Sequence, residues 1–183
     1  KFDFGGGLDV VGQVVPRPEA NKKVTGEAIY TDDISFPGML YGATLRAGIP
    51  HGRVKKLDIS KAKALPGVQA VLTAEDIPGS VNHGEIIQDW PALIGVGQKA
   101  RYVGDAIAIV AADTEDIARQ ALELIDLEME PLPMVTNPVD AKKDGAPLVH
   151  ESGNLLKHIK VDKGDVQKGF AEAEMIIEDT YFT

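Results

Sequence analysis

At 183 residues the chain is long enough to bury about 70% of its unfolded surface, and the absence of cysteine excludes disulfides, iron–sulfur ligation and a cysteine nucleophile. Its net charge of −9 argues against a general nucleic-acid binder, because neutralising phosphates takes clustered Lys and Arg. No apolar run approaches the ~20 residues of a membrane span, and the first residues lack the apolar core of a signal peptide, so we expect a cytoplasmic protein that contacts no membrane. Because the sequence does not begin with Met, we also expect that it is processed or is a fragment of a larger chain.

The first half of the chain predicts an arm followed by short strands. Residues 1–23 hold three consecutive glycines and two prolines, which is typical of an N-terminal arm or linker, so we expect one domain over 24–183. Alternating apolar and polar residues predict strands that begin at Tyr41 and at Arg53. Ser60 is expected to cap a short helix that Pro66 and Gly67 end, and residues 68–73 predict a third strand.

The middle of the chain predicts a long loop, a buried strand and a helix. Residues 78–100 lack a regular period and carry the only Trp, and long loops of this kind are often functional. The apolar run at 106–112 predicts a strand that is buried on both faces. A helix capped by Asp113 or Thr114 should follow, and helical spacing places four residues on its inward face: Ile117, Ala121, Leu124 and Ile125.

The last third predicts extended segments and two capped helices. Residues 126–133 are expected to be extended, and Asn137 followed by proline is a good start for a short helix. Asp165 should cap a helix over 166–174. We expect a strand over 175–183 that is still running at the last residue, as in a domain truncated at its C-terminal end.

The glycine in the stretch RYVGDAIAIVAA does not indicate a nucleotide site. A dinucleotide fingerprint places its glycines after a strand and before a helix, whereas Gly104 precedes the strand. The strand-to-helix junction here is acidic and would repel a phosphate. Gly104 and Asp105 are therefore predicted to form a structural turn.

The residues alone suggest neither a catalytic centre nor a metal site. The four histidines share no metal-ligand spacing and are expected on the surface. No G-x-S-x-G elbow occurs, and Asp32 with Asp33 fits a turn better than a carboxylate pair. The pattern predicts an α+β domain with no visible active site.

Three stretches occur together in a distinctive order. They are KVTGEAIYTDDISFPGMLYGATLRAGIPHGRVKKLDISKAKALPGVQAVLTAEDIPG, ARYVGDAIAIVAADTEDIARQALELIDLEMEPLP and GAPLVHESGNLL. Together they resemble the xanthine dehydrogenase/aldehyde oxidase family of molybdenum hydroxylases, in its a/b hammerhead domain at the start of the molybdenum-binding subunit. The resemblance runs from about Val11 to Thr183. It implies an α+β hammerhead with a mixed sheet and short helices packed on it, in which the V-G-D turn is structural.

The resemblance implies a parent enzyme that hydroxylates an aldehyde or an N-heterocycle with molybdopterin. The pterin loops and the catalytic glutamate of the family lie beyond the matching region, so no catalytic residue, metal ligand or cofactor is carried over to this chain. The implied partners are the remainder of the molybdenum subunit and the iron–sulfur and FAD domains or subunits. Ala47 and Gly48 depart from the small-residue and proline pattern expected after the arginine, which leaves the branch of the family open.

The resemblance also implies a role in substrate access for one loop. In xanthine-oxidising members the loop before the V-G turn lines the substrate funnel, and the matching residues here are Ile86, Ile87, Gln88 and Trp90. Branched apolar side chains beside a Trp can select planar substrates by shape. Two alternatives stay open. The two isoleucines could instead cover the core of the domain, and the chain could be a free-standing, non-catalytic binding or adaptor module.

Overall fold

The computed structural model describes residues 14–182, so most of the predicted N-terminal arm lies outside the described residues. The elements are α1 (Ala20–Thr25), β1 (Tyr41–Arg46), β2 (Gly52–Asp58), α2 (Ser60–Lys63), β3 (Val68–Leu72), β4 (Asn82–His83), β5 (Trp90–Pro91), β6 (Lys99–Ala100), β7 (Ala106–Ala112), α3 (Glu115–Glu123), β8 (Asp126–Pro131), α4 (Pro138–Ala141) and α5 (Val166–Glu172). Single 3₁₀ turns occur at Thr31–Asp33 and Ala74–Asp76.

Two three-stranded sheets form the body of the domain. The first sheet has the order β1-β7-β3 and the second sheet the order β6-β2-β8, while β4 and β5 form a small hairpin. Every strand pair within residues 14–182 is antiparallel. The predicted α+β hammerhead class, with short helices packed on sheets, is confirmed. The sheets are antiparallel and not mixed, because no two neighbouring strands among the described residues run in the same direction.

Helix α3 packs closely on the first sheet because small side chains line the contact. Ala118 and Ala121 of the helix are fully buried, as are Ala108 and Ala112 of β7, and all four belong to one core cluster. Alanine at these positions lets the helix backbone approach the sheet, and Val71 and Val110 fill the remaining space.

A second core cluster lies around Val54, Ile94 and Ile107. Successive side chains of a strand point to opposite faces, so Ile107 and Ala108 of β7 enter different clusters. The prediction that β7 is buried on both faces therefore holds at its start. It is wrong farther along, because Ile109 is 39% exposed.

Side-chain caps were predictable from the sequence, with one exception. The hydroxyl of Thr114 accepts a hydrogen bond from the Ile117 amide, and Asn137 and Asp165 cap their helices in the same way, as predicted. The prediction for Ser60 is wrong. It is the first residue of α2, and its amide donates to the carboxylate of Asp58 at 2.9 Å.

Two further expectations about local structure are wrong. Leu124 is 37% exposed, because the buried row runs through Ala118, Ala121 and Ile125 at helical spacing and Leu124 lies beside that row. No strand forms over residues 175–182, where Met175, Ile177 and Phe182 are largely exposed. A strand needs a neighbour to satisfy its backbone hydrogen bonds, and none of the described strands lies beside this segment.

The turn after β3 is held by one carboxylate. The backbone amide and the hydroxyl of Thr73 donate to Asp76 Oδ2 at 2.7 and 3.0 Å. Both bonds favour the charged carboxylate, so they lower the pKa of Asp76, the backbone bond most. Among residues 14–182, no helix has both the length and the apolar character needed to cross a membrane.

Replacing Thr114 by Ala should destabilise the domain by about 1 kcal/mol, because the first turn of α3 loses its cap. Urea unfolding of the full chain measures this free energy. The matched control Thr114→Ser keeps the hydroxyl and should lose clearly less. Equal losses in the two variants would contradict the capping role.

Candidate functional site

An apolar cavity of about 340 Å³ lies between the β4–β5 hairpin loop and residues 150–156. Ile86, Ile87 and Trp90 line it, whereas the predicted Gln88 does not. The other lining residues are Gly84, Glu85, Asp89, His150, Ser152, Gly153, Asn154, Leu155 and Leu156. We call this space the hairpin cavity.

The hairpin loop holds its two isoleucines away from the core. Ile86 and Ile87 are 54% and 41% exposed, and neither belongs to the two core clusters. Gly84 has a φ of 151°, and a Cβ there would overlap the carbonyl of Ile87. The loop therefore folds tightly back on itself, and packing gives no support to the alternative that these isoleucines cover the core.

Trp90 is fixed by the turn that precedes β7. The buried Asp105 carboxylate accepts hydrogen bonds from Trp90 Nε1 at 3.0 Å and from the Arg101 and Tyr102 amides at 2.5 and 3.3 Å. The Tyr102 ring meets Trp90 edge to face, with the ring centroids 5.7 Å apart. A Cβ on Gly104 would lie 2.8 Å from Cζ of Tyr102, so any larger residue there would push the Tyr102 ring out of its present position.

An imidazole–carboxylate pair joins the hairpin to the later segment. His150 Nδ1 lies 2.8 Å from Asp89 Oδ2, and the His150 ring lies 5.7 Å from that of Trp90. Asn154 stabilises the same segment, since its amide donates to the carbonyls of Ala141 and Pro147 and accepts from Val149. Sequence reasoning missed His150, because no local spacing signals a partner so distant along the chain.

The expectation that the histidines lie on the surface is wrong for His51. Its side chain is 5% exposed, and Nδ1 lies 2.6 Å from the carbonyl of Pro133. This contact fixes the residues after β8 against the start of β2.

The hairpin cavity has the chemistry of a binding surface. Apolar side chains and one Trp supply contact area, and a single His–Asp pair supplies polarity. Among residues 14–182 no three His, Asp or Glu side chains come together as metal ligands. The described residues therefore offer no carboxylate or imidazole cluster that would hold a metal ion directly.

Comparison with known proteins identifies the family. Residues 25–133 match the family described as aldehyde oxidase and xanthine dehydrogenase, a/b hammerhead domain. The chain therefore belongs to this family, and the prediction made from its three motifs is confirmed.

Relatives with curated names cover nearly all of the chain. It is 46% identical over 165 residues to a probable xanthine dehydrogenase subunit from Bacillus subtilis, a match that covers 90% of this chain and 22% of the relative. It is 39% identical over 180 residues to the nicotinate dehydrogenase large molybdopterin subunit of Eubacterium barkeri, covering 98% of this chain and 42% of the relative. The chain thus spans less than half the length of these relatives.

A solved structure shares the fold. The aldehyde oxidoreductase from Desulfovibrio desulfuricans superposes with a TM-score of 0.66 at 33% identity, over 78% of this chain and 17% of that one.

Replacing Asp105 by Asn should destabilise the domain by about 2 kcal/mol, because the amide NH₂ cannot accept from the donors that the carboxylate now serves. Urea unfolding followed by the fluorescence of the only Trp measures the change.

The matched control is Asp113→Asn. Asp113 is exposed and accepts a side-chain bond from Gln69 at 2.8 Å, so its replacement should change stability by less than about 0.5 kcal/mol. Equal losses of unfolding free energy in the two variants would contradict the role of the Asp105 carboxylate in holding the turn.

Proposed function

We propose that this chain is the N-terminal hammerhead domain of the molybdopterin-binding subunit of an oxidoreductase that hydroxylates an aldehyde or an N-heterocycle. The family match from residue 25 onward and relatives named as xanthine and nicotinate dehydrogenase subunits support this proposal. The domain would extend over 24–183, preceded by an arm over 1–23. In this proposal it is structural and lines the substrate route, and it is not catalytic by itself.

The observation that carries the proposed role is the hairpin cavity. Ile86 and Ile87 stay exposed although the rest of the domain has two well-packed core clusters, and Trp90 is held rigidly beside them by Asp105. A rigid Trp side chain next to branched apolar side chains favours the desolvation of a planar substrate ring and disfavours bulkier substrates. These side chains would sort substrates before they reach the reacting centre. Gln88, outside the cavity, would act only at its rim.

The proposal assigns the cofactors to other parts of the protein. Molybdopterin would be held by the remainder of the subunit, because the resemblance places the pterin-binding loops of the family beyond the hammerhead domain. Iron–sulfur clusters and FAD would sit on further domains or subunits, and Gly104 with Asp105 would serve only as a structural turn. The cysteine-free sequence agrees with a cytoplasmic location.

Replacing both Ile86 and Ile87 by Ala in the full-length subunit should raise KM or change substrate preference about tenfold, because the lost methylenes no longer contact the substrate. The turnover number should change little. Steady-state kinetics with a planar heterocycle and a linear aldehyde measure both quantities.

The control is the double change of Ile29 and Ile34 to Ala, since these isoleucines are also exposed but lie outside the cavity. It should leave kcat/KM unchanged. If the Ile86 and Ile87 variant loses stability while its kinetics stay the same, the funnel role is wrong. An adaptor module would then explain the exposed surface better.

A further inference from the structure

A second cavity, of about 270 Å³, lies next to the hairpin cavity and is lined by charged side chains. Three of its lining residues are cations, Arg53, Lys99 and Arg101, although the chain as a whole carries a net charge of −9. We call this space the cationic cavity. Its other lining residues are Asn82, Asp89, Pro91, Gly97, Gln98 and Glu151.

Two of the cations face each other across a strand pair. Arg53 of β2 and Lys99 of β6 are direct partners in the antiparallel register. Like charges directly opposite one another destabilise a sheet unless an anion lies between them. Arg53 is held in place because its guanidinium donates to the Gly97 carbonyl at 2.6 Å, so it cannot turn away without losing that bond.

The carboxylates nearby compensate these charges only weakly. The side chain of Lys99 is 14% exposed, and its carboxylate partner Glu151 is 3.8 Å away and 85% exposed. On the other side of Arg53, Glu130 lies 4.0 Å from its Nε and equally far from the Lys55 ammonium. An ammonium withdrawn from water needs closer hydrogen-bonded partners than these.

The third cation has no carboxylate partner among residues 14–182. Arg101 Nη1 reaches only the carbonyl of Asp89 at 3.4 Å, and its Nε is buried without a hydrogen-bond partner among those residues. The carboxylate of Asp89 is directed to His150 at 2.8 Å. The guanidinium therefore keeps donor capacity that the described residues do not use.

We propose that the cationic cavity binds a small oxyanion, a phosphate or carboxylate group, through Lys99, Arg101 and Arg53. A planar guanidinium pairs with two oxygens of such a group, and the ammonium supplies a compact charge for a third contact. The bound anion would relieve the repulsion between Arg53 and Lys99. Of the side chains of the hairpin cavity, only Asp89 also lines this site, so the proposal stands apart from the funnel role.

Calorimetric titration of the full chain tests the proposal, with sodium phosphate in one arm and sodium acetate in the other. Sodium chloride keeps the ionic strength constant, so that charge screening is the same at every point of both titrations. Saturable binding of phosphate alone identifies a phosphate site, and comparable binding of acetate identifies a carboxylate site. No saturable heat in either arm would overturn the proposal.

Three variants locate the site. Lys99→Gln should weaken binding at least about tenfold, a difference of about 1.4 kcal/mol, and Lys99→Arg should stay within a few-fold of the wild type. Lys61→Gln removes an exposed cation that does not line the cavity and should have no effect. Equal weakening by Lys99→Gln and Lys61→Gln would overturn the proposal.

Chemical-shift mapping on the wild type needs no variant to fold. Phosphate or acetate should shift the Arg101 Nε–Hε resonance and the backbone amides of residues 98–101. Shifts confined to residues around exposed lysines outside the cavity, such as Lys142 and Lys143, would show that the anion binds elsewhere and would overturn the proposal.

Discussion

The buried carboxylate of Asp105 is the constraint on which the hairpin cavity depends. It serves two backbone amides of its own turn and the indole of Trp90, so a single side chain shapes the entry to β7 and anchors the β4–β5 hairpin. Breaking one of these contacts in a buried site leaves donors without partners, which costs more than the bond itself contributes. Both the central strand and the candidate site therefore rest on the same residue.

Local patterns predicted much of the fold. The three strands at Tyr41–Arg46, Val68–Leu72 and Ala106–Ala112 follow from short alternating or apolar runs, and the caps at Thr114, Asn137 and Asp165 follow from side chains that accept nearby amides. These features depend on neighbours within a few residues. The resemblance to the family rests on three motifs that occur in the same order. It predicted the hammerhead arrangement of these strands and helices, which hydrophobic periodicity alone could not predict.

Long-range contacts were not predictable in the same way. Residues 78–100 show no regular pattern because their three strands are only two residues long. Two of them, β4 and β5, form a small hairpin, and the third, β6, finds its partner far along the chain, as Lys99 pairs with Arg53. The pairing of Asp89 with His150 and the burial of His51 likewise depend on tertiary packing. The strand expected over 175–183 failed for a related reason, since apolar alternation cannot supply the neighbour that a strand requires.

The strand pairing also sets an order of events in folding. None of β1, β2 and β3 pairs with another of these three, and each finds its partners only among β6, β7 and β8. The first three strands therefore cannot form either three-stranded sheet when they leave the ribosome. Their backbone hydrogen bonds stay unpaired until the region around β7 and β8 has been synthesised. Strand pairing across such distances along the chain slows folding and leaves a period in which the nascent chain is vulnerable to aggregation.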